Sequence, residues 1–111
     1  MSAAFVYITT ESPSQAETIG RALVETRLAA CVNILPGMQS IYHWQGRIET
    51  AQETVLIAKT RMSLTEALLA KVKELHSYDV PCAVVLPVVA GLPDFLRWID
   101  DETASHAPKT V

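Results

Sequence analysis

With 111 residues and a net charge of −3, the chain has the length of one domain and too little positive charge for a nucleic-acid partner. Half of the residues are apolar, so part of that apolar surface is expected at an interface between chains. The longest apolar run, residues 82–92, is broken by Pro87 and Gly91 and falls short of the ~20 residues a membrane span needs. No basic start or cleavage-like region precedes the first strand, so a cytoplasmic protein with no membrane partner is expected.

Residues 4–10 (AFVYITT) are β-branched and aromatic and predict a strand. Val6 and Ile8 point to one face, Phe5 and Tyr7 to the other, so both faces of this strand are apolar. Ser12-Pro13-Ser14-Gln15 predicts a helix start, with Ser12 as cap, Pro13 at the first helical position and Gln15 completing a capping box. Ala16, Ile19, Leu23 and Leu28 then recur near helical spacing.

Residues 30–59 predict a long β-hairpin turning at Gln45-Gly46. Residues 31–44 alone would extend roughly 46 Å at about 3.3 Å per residue. A compact chain of this length has a radius of gyration of about 13 Å. The arm must bend, project or pair with another chain; Pro36-Gly37 offers a bend or bulge. The exposed edges of such a hairpin favour a symmetric oligomer.

Ser63-Leu64-Thr65-Glu66 predicts a second capping box, followed by a stripe of Leu64, Leu68, Val72 and Leu75. Residues 76–81 predict a loop, and residues 83–88 a short strand in which Pro87 implies an edge or bulge. Gly91-Leu92-Pro93 predicts the opening of a last helix carrying Phe95, Leu96, Trp98 and Ile99. Residues 104–111 predict a flexible tail. The order is that of an α+β, ferredoxin-like βαββαβ sandwich, with a long central hairpin and a C-terminal helix. Residues 1–111 form a single domain on this reading. Helices on one sheet face leave the other bare, and self-association is its simplest cover.

Cys31 and Cys82 match neither a disulfide framework nor a zinc spacing, and their apolar strand-like settings predict small buried side chains. With His43, His76 and His106 they are the soft or borderline metal ligands that copper or zinc favours, but no two have metal-binding spacing. A site would have to be assembled in three dimensions. His43 flanks the hairpin tip, where a plain surface role is the alternative. Tyr42, Trp44, Tyr78 and Trp98 are most of the large aromatic side chains and suggest a small-molecule site. Lys59 shares a face with Val55 and Ile57. Glu53, on the same face, is roughly 20 Å away along the strand, too far to pair with it. The partner of Lys59 must be another strand, another subunit or an anionic ligand. No nucleophile elbow, phosphate loop or metalloprotease helix is present. A Cys31–His76 nucleophile–base pair requires the fold to bring the two together. A non-enzyme is expected.

Several motifs resemble the CutA divalent-cation-tolerance family over about residues 5–99. They are L-A-A-C-V-N at residues 28–33, S-I-Y-H-W-Q-G at 40–46, E-T-V-L-I-A-K-T at 53–60, H-S-Y-D-V-P at 76–81 and V-L-P-V at 85–88. The resemblance implies a homotrimer, similar to PII-type signalling proteins, in which hairpins wrap neighbouring subunits. It implies a role in tolerance of divalent metals, copper especially, and no settled catalytic activity. The family loop H-P-Y-E-x-P carries Ser77 and Asp79 here, and Arg47 stands where Lys is common. Some members place a metal-binding Cys at the end of the first strand; Thr9 and Thr10 occupy that region here.

Taken together, His76 and Cys31 are the expected metal residues, for a weakly bound copper or other divalent cation, with no organic cofactor. For His76, the resemblance adds a family metal contact to its loop-start position, while an interaction with the carbonyls ending the preceding helix is the structural alternative. Tyr42, Trp44, Lys59, Glu53, Tyr78 and Trp98 are the expected ligand-binding set. A PII-like module taking a small anion between subunits and a purely structural assembly platform are the two other readings.

Overall fold

The computed structural model describes residues 2–104. In chain order the elements are β1 (Ala3–Thr10), α1 (Pro13–Glu25), β2 (Cys31–Trp44), β3 (Arg47–Arg61), a 3-10 turn (Met62–Leu64), α2 (Thr65–Leu75), β4 (Ala83–Pro87) and α3 (Pro93–Thr103). The four strands form one sheet in the order β2-β3-β1-β4, with every neighbouring pair antiparallel. The topology is the expected ferredoxin-like one. No helix among the described residues is long and apolar enough to cross a membrane.

α1 starts as its sequence dictates. The Ser12 hydroxyl accepts the Gln15 amide hydrogen at 3.1 Å, and the Gln15 side chain accepts the Glu11 amide hydrogen at 3.1 Å. Ala16, Ile19, Gly20 and Leu23 form its buried stripe. Gly20 is needed for the close approach to the sheet: a Cβ there would stand 2.9 Å from Val32 Cγ2. The second expected capping box does not form. The chain passes through the 3-10 turn, Leu64 occupies the cap position without a side-chain bond, and Thr65 Oγ1 donates to Met62 O at 2.8 Å. Only Leu68 and Val72 of the α2 stripe are buried.

The sheet's two faces differ. On one, Val6 and Ile8 of β1 and Leu56 and Ala58 of β3 meet Ile19, Leu23, Leu68 and Val72 of the first two helices in the core. The other face is not bare as expected, because α3 lies across one end of it. Ile99 and Thr103 are fully buried there, and Ala3 is nearly so. Two arginines fasten this helix: Arg61 Nη2 donates to Thr103 O at 2.8 Å, with its Nη1 3.4 Å from Asp100 Oδ1, and Arg27 Nη1 donates to Glu102 Oε2 at 2.6 Å. Beyond α3 the face stays open, and Val84 and Leu86 are each half exposed.

The hairpin turns through Gln45 and Gly46, both at positive φ (50° and 78°), a twist suited to a two-residue turn. The chain's principal extents are 49 × 33 × 22 Å, and its radius of gyration is 14.9 Å. The long axis exceeds the compact expectation because the outer half of the hairpin projects. At Pro36-Gly37 two residues of β2 oppose Thr54 alone, with Gly37 at φ 78°. This is a β-bulge, and it changes which side chains share a face. Before it, Cys31, Asn33 and Leu35 stand opposite Lys59, Ile57 and Val55. After it, Met38, Ser40, Tyr42 and Trp44 stand opposite Glu53, Ala51, Glu49 and Arg47.

Candidate functional site

The bulge therefore brings Tyr42 and Trp44 onto the same face as Glu53, since odd-numbered residues of β3 share one face throughout. With unbroken alternation, Ile41 and His43 would hold that position. Met38 lies on this face too and accepts a hydrogen bond from the Tyr7 hydroxyl at 3.4 Å.

The loop after α2 closes over this region. His76 caps α2 with extended backbone (φ −77°, ψ 145°). Its Nε2 is 2.7 Å from Thr9 O, and its Nδ1 is 3.1 Å from the Tyr78 amide nitrogen. A carbonyl only accepts and an amide N–H only donates, so these partners fix the neutral ring with its proton on Nε2. The helix-end reading of His76 is thus realised with the β1 carbonyl as partner. Coordination of a metal by either nitrogen requires one of these bonds to break.

Tyr78 lies tilted against His76, with ring centroids 4.7 Å apart. Its hydroxyl donates to Glu53 Oε2 at 2.9 Å. Burial pushes the Tyr78 phenol up to about 12, helped by the hydrogen bond to Glu53 and the nearby charges of Glu53 and Glu11. Tyr42, Trp44, Tyr78, Asp79 and Val80 line a cleft of about 260 Å³ between the hairpin and the loop.

The expected ligand-binding residues divide between two places. Tyr42, Trp44, Glu53 and Tyr78 gather around the cleft. Lys59 lies toward the other end of the same sheet face, with its Nζ 5.4 Å from the ring centres of both Phe5 and Phe95. Trp98 belongs with Lys59, because it stacks on Phe95 at 5.9 Å. Phe5 and Phe95 supply the contact that sequence reasoning sought from an ion pair or anion. Phe5 stands opposite Lys59 across the β1–β3 ladder, a match that needs the strand register.

The two expected metal residues do not meet within one chain. Cys31 is level with Lys59 and Phe5, whereas His76 touches Thr9, four residues further along β1. That offset is roughly 13 Å along the strand direction, so the chain does not assemble a Cys31–His76 nucleophile–base pair. Cys31 is half buried. Cys82 is exposed rather than buried, because it precedes edge strand β4 in the loop and contributes its carbonyl to Thr9 N. His43 is exposed near the hairpin tip. His106 lies outside the described residues, as does the expected tail from residue 105 onward. Among the described residues no three His, Cys, Asp or Glu side chains converge to hold a metal ion.

Comparison with known proteins agrees with the fold. The model of the CutA1 divalent ion tolerance protein family matches residues 4–102. The divalent-cation tolerance protein CutA of Thermus thermophilus is 48% identical over 98 residues, covering 88% of this chain and 95% of the relative. The chloroplastic CutA protein of Arabidopsis thaliana is 40% identical over 98 residues, and the match spans 88% of this chain but only 54% of that longer protein. The crystal structure of CutA1 from Oryza sativa superposes with a TM-score of 0.90 at 39% identity, covering 93% of this chain and 94% of that one. The chain belongs to the CutA1 divalent ion tolerance protein family.

Proposed function

We propose that this chain takes part in the response to divalent cations, copper above all, as a homotrimer that binds the ion weakly and performs no catalysis. Family membership supports the broad role. The finer reading rests on His76 and Cys31, which stand apart within one chain, so a shared metal would need a neighbouring copy to bring them together. Weak binding follows from the two hydrogen bonds of His76, one of which coordination must sacrifice.

The homotrimer draws support from apolar surface that a single chain leaves open. Val84 and Leu86 on the sheet face are each 50% exposed, and Ile41 and Ile48 on the hairpin are 68% and 69% exposed. Two free thiols, Cys31 and Cys82, suit the reducing cytoplasm.

Equilibrium dialysis against copper and zinc, read by elemental analysis, tests the metal reading. The wild type should retain more copper than a His76→Ala, Cys31→Ser variant. Equal retention overturns direct binding. Light scattering after gel filtration should give three times the chain mass, and a monomer overturns the assembly.

A second reading, a PII-like module taking a small anion between subunits, rests on Lys59, which has aromatic neighbours and no ion-paired carboxylate among the described residues. Native mass spectrometry of the gently purified protein should then show a retained anion that Lys59→Ala loses.

A further inference from the structure

We propose that the cleft between the outer hairpin and the loop after α2 binds an organic cation of the alkylammonium class. This goes beyond the metal reading and holds whether or not the protein takes up copper.

Tyr42, Trp44 and Tyr78 line the cleft together, and each carries an electron-rich ring. A cation near such faces is attracted by the ring quadrupole, most strongly at tryptophan. The Tyr78 hydroxyl donates to Glu53, which draws electron density toward the ring and strengthens that attraction. Asp79 adds a carboxylate to the lining and Val80 an apolar wall. Glu49 stands opposite Tyr42 on the hairpin, and the charges of Glu53 and Glu11 both reach the Tyr78 phenol.

The sign of the ligand follows from these groups. An anion would meet the Asp79 carboxylate in the lining, with Glu49 and Glu53 on the adjoining hairpin face. A bare metal ion would find one carboxylate in the lining and neither imidazole nor thiolate, a poor donor set for copper or zinc. A methylated ammonium fits better, because its charge is spread over apolar methyl groups that can leave water and lie against aromatic faces. About 260 Å³ accommodates such a head group, although it is smaller than most drug-sized sites. Arg47 faces Trp44 across the ladder and is the one nearby cation on this arm. It is not among the cleft-lining residues.

The chain has two tryptophans, so Trp98→Phe leaves Trp44 as the sole tryptophan, whose emission is read by exciting beyond the tyrosine absorption band. This full-length variant, in its native assembly, is titrated with choline chloride, with the neutral carbon isostere 3,3-dimethylbutan-1-ol, and with sodium succinate. Choline should change Trp44 emission saturably and bind about two- to fivefold more tightly than the isostere, within the range of a solvent-exposed cation–π contact. Succinate should not compete. Calorimetry on otherwise wild-type protein should then show choline binding lost in Trp44→Ala and weakened but present in Tyr78→Phe, which keeps the ring and loses the bond to Glu53. Trp44 is 54% exposed, so its replacement should leave the fold intact, as checked by circular dichroism. Equal affinity for choline and its isostere, no saturable choline binding, tighter binding of succinate, or unchanged binding in a folded Trp44→Ala protein would each overturn the proposal.

Discussion

The inner and outer halves of the hairpin are made of the same two strands yet live in different surroundings. In the inner half, β3 lies between β2 and β1, and its residues from Thr54 to Ala58 and at Thr60 are mostly buried. In the outer half only β2 and β3 pair, and nearly every side chain is exposed or half exposed. The inner half is held by the core of its own chain. The outer half has no such support and is positioned by the bulge, the turn and the Tyr78–Glu53 bond. Stability should therefore be lost at the inner half and assembly or recognition at the outer.

The largest effect that would sharpen this contrast is Leu56→Ala. Leu56 is fully buried in the centre of the core, and its truncation should cost about 3 kcal/mol in urea denaturation. A loss under about 1 kcal/mol would break the contrast from the inner side. Next is Gly37→Ala at the boundary. A Cβ there has open space, but φ is 78°, so a strain of about 1–2 kcal/mol is expected without any steric clash.

Ile41 and Ile48 share the hairpin face opposite Tyr42. Replacing both with Ser should leave the far-ultraviolet dichroism of the chain unchanged while light scattering shows a smaller particle. An intact trimer would remove this pair from the proposed interface. The smallest effect concerns pH. The Tyr78 phenol is pushed up to about 12 from its ordinary 10.0. Between those values an unfolded chain has lost the Tyr78 proton and the folded one has kept it. The stabilisation is complete below about pH 10 and disappears as pH rises through about 12. Ultraviolet titration should show a late transition that Tyr78→Phe abolishes.

Local features were the legible ones. The Ser12–Gln15 cap, the Gln45-Gly46 turn and the irregularity at Pro36-Gly37 involve residues close in sequence and could be read directly. Ser63 misled because it lies inside the 3-10 turn, which leaves Leu64 at the cap position of the helix. The placement of α3 was not legible, since its apolar residues say that it packs and not on which side of the sheet. Lys59 was recognised as needing a partner, yet Phe5 and Phe95 are identified only by register and tertiary packing. For His76, the helix end was visible, but the Thr9 carbonyl that accepts its proton is 67 residues away. Tyr42, Trp44, Tyr78 and Glu53 were singled out as chemically notable, and their separation from Lys59 and Trp98 emerged only with the fold.

The bulge also bears on how this surface can evolve. A point substitution in the outer hairpin alters one side chain. Gaining or losing a single codon at residues 36–37 would shift the outer arm of β2 by one place in a two-residue alternation. If the turn were retained, Tyr42 and Trp44 would exchange faces with Ile41 and His43 in one step. The inner half, locked to its register by the buried core, would keep its arrangement. This small irregularity thus separates a conservative half of the hairpin from one whose recognition surface can be replaced wholesale.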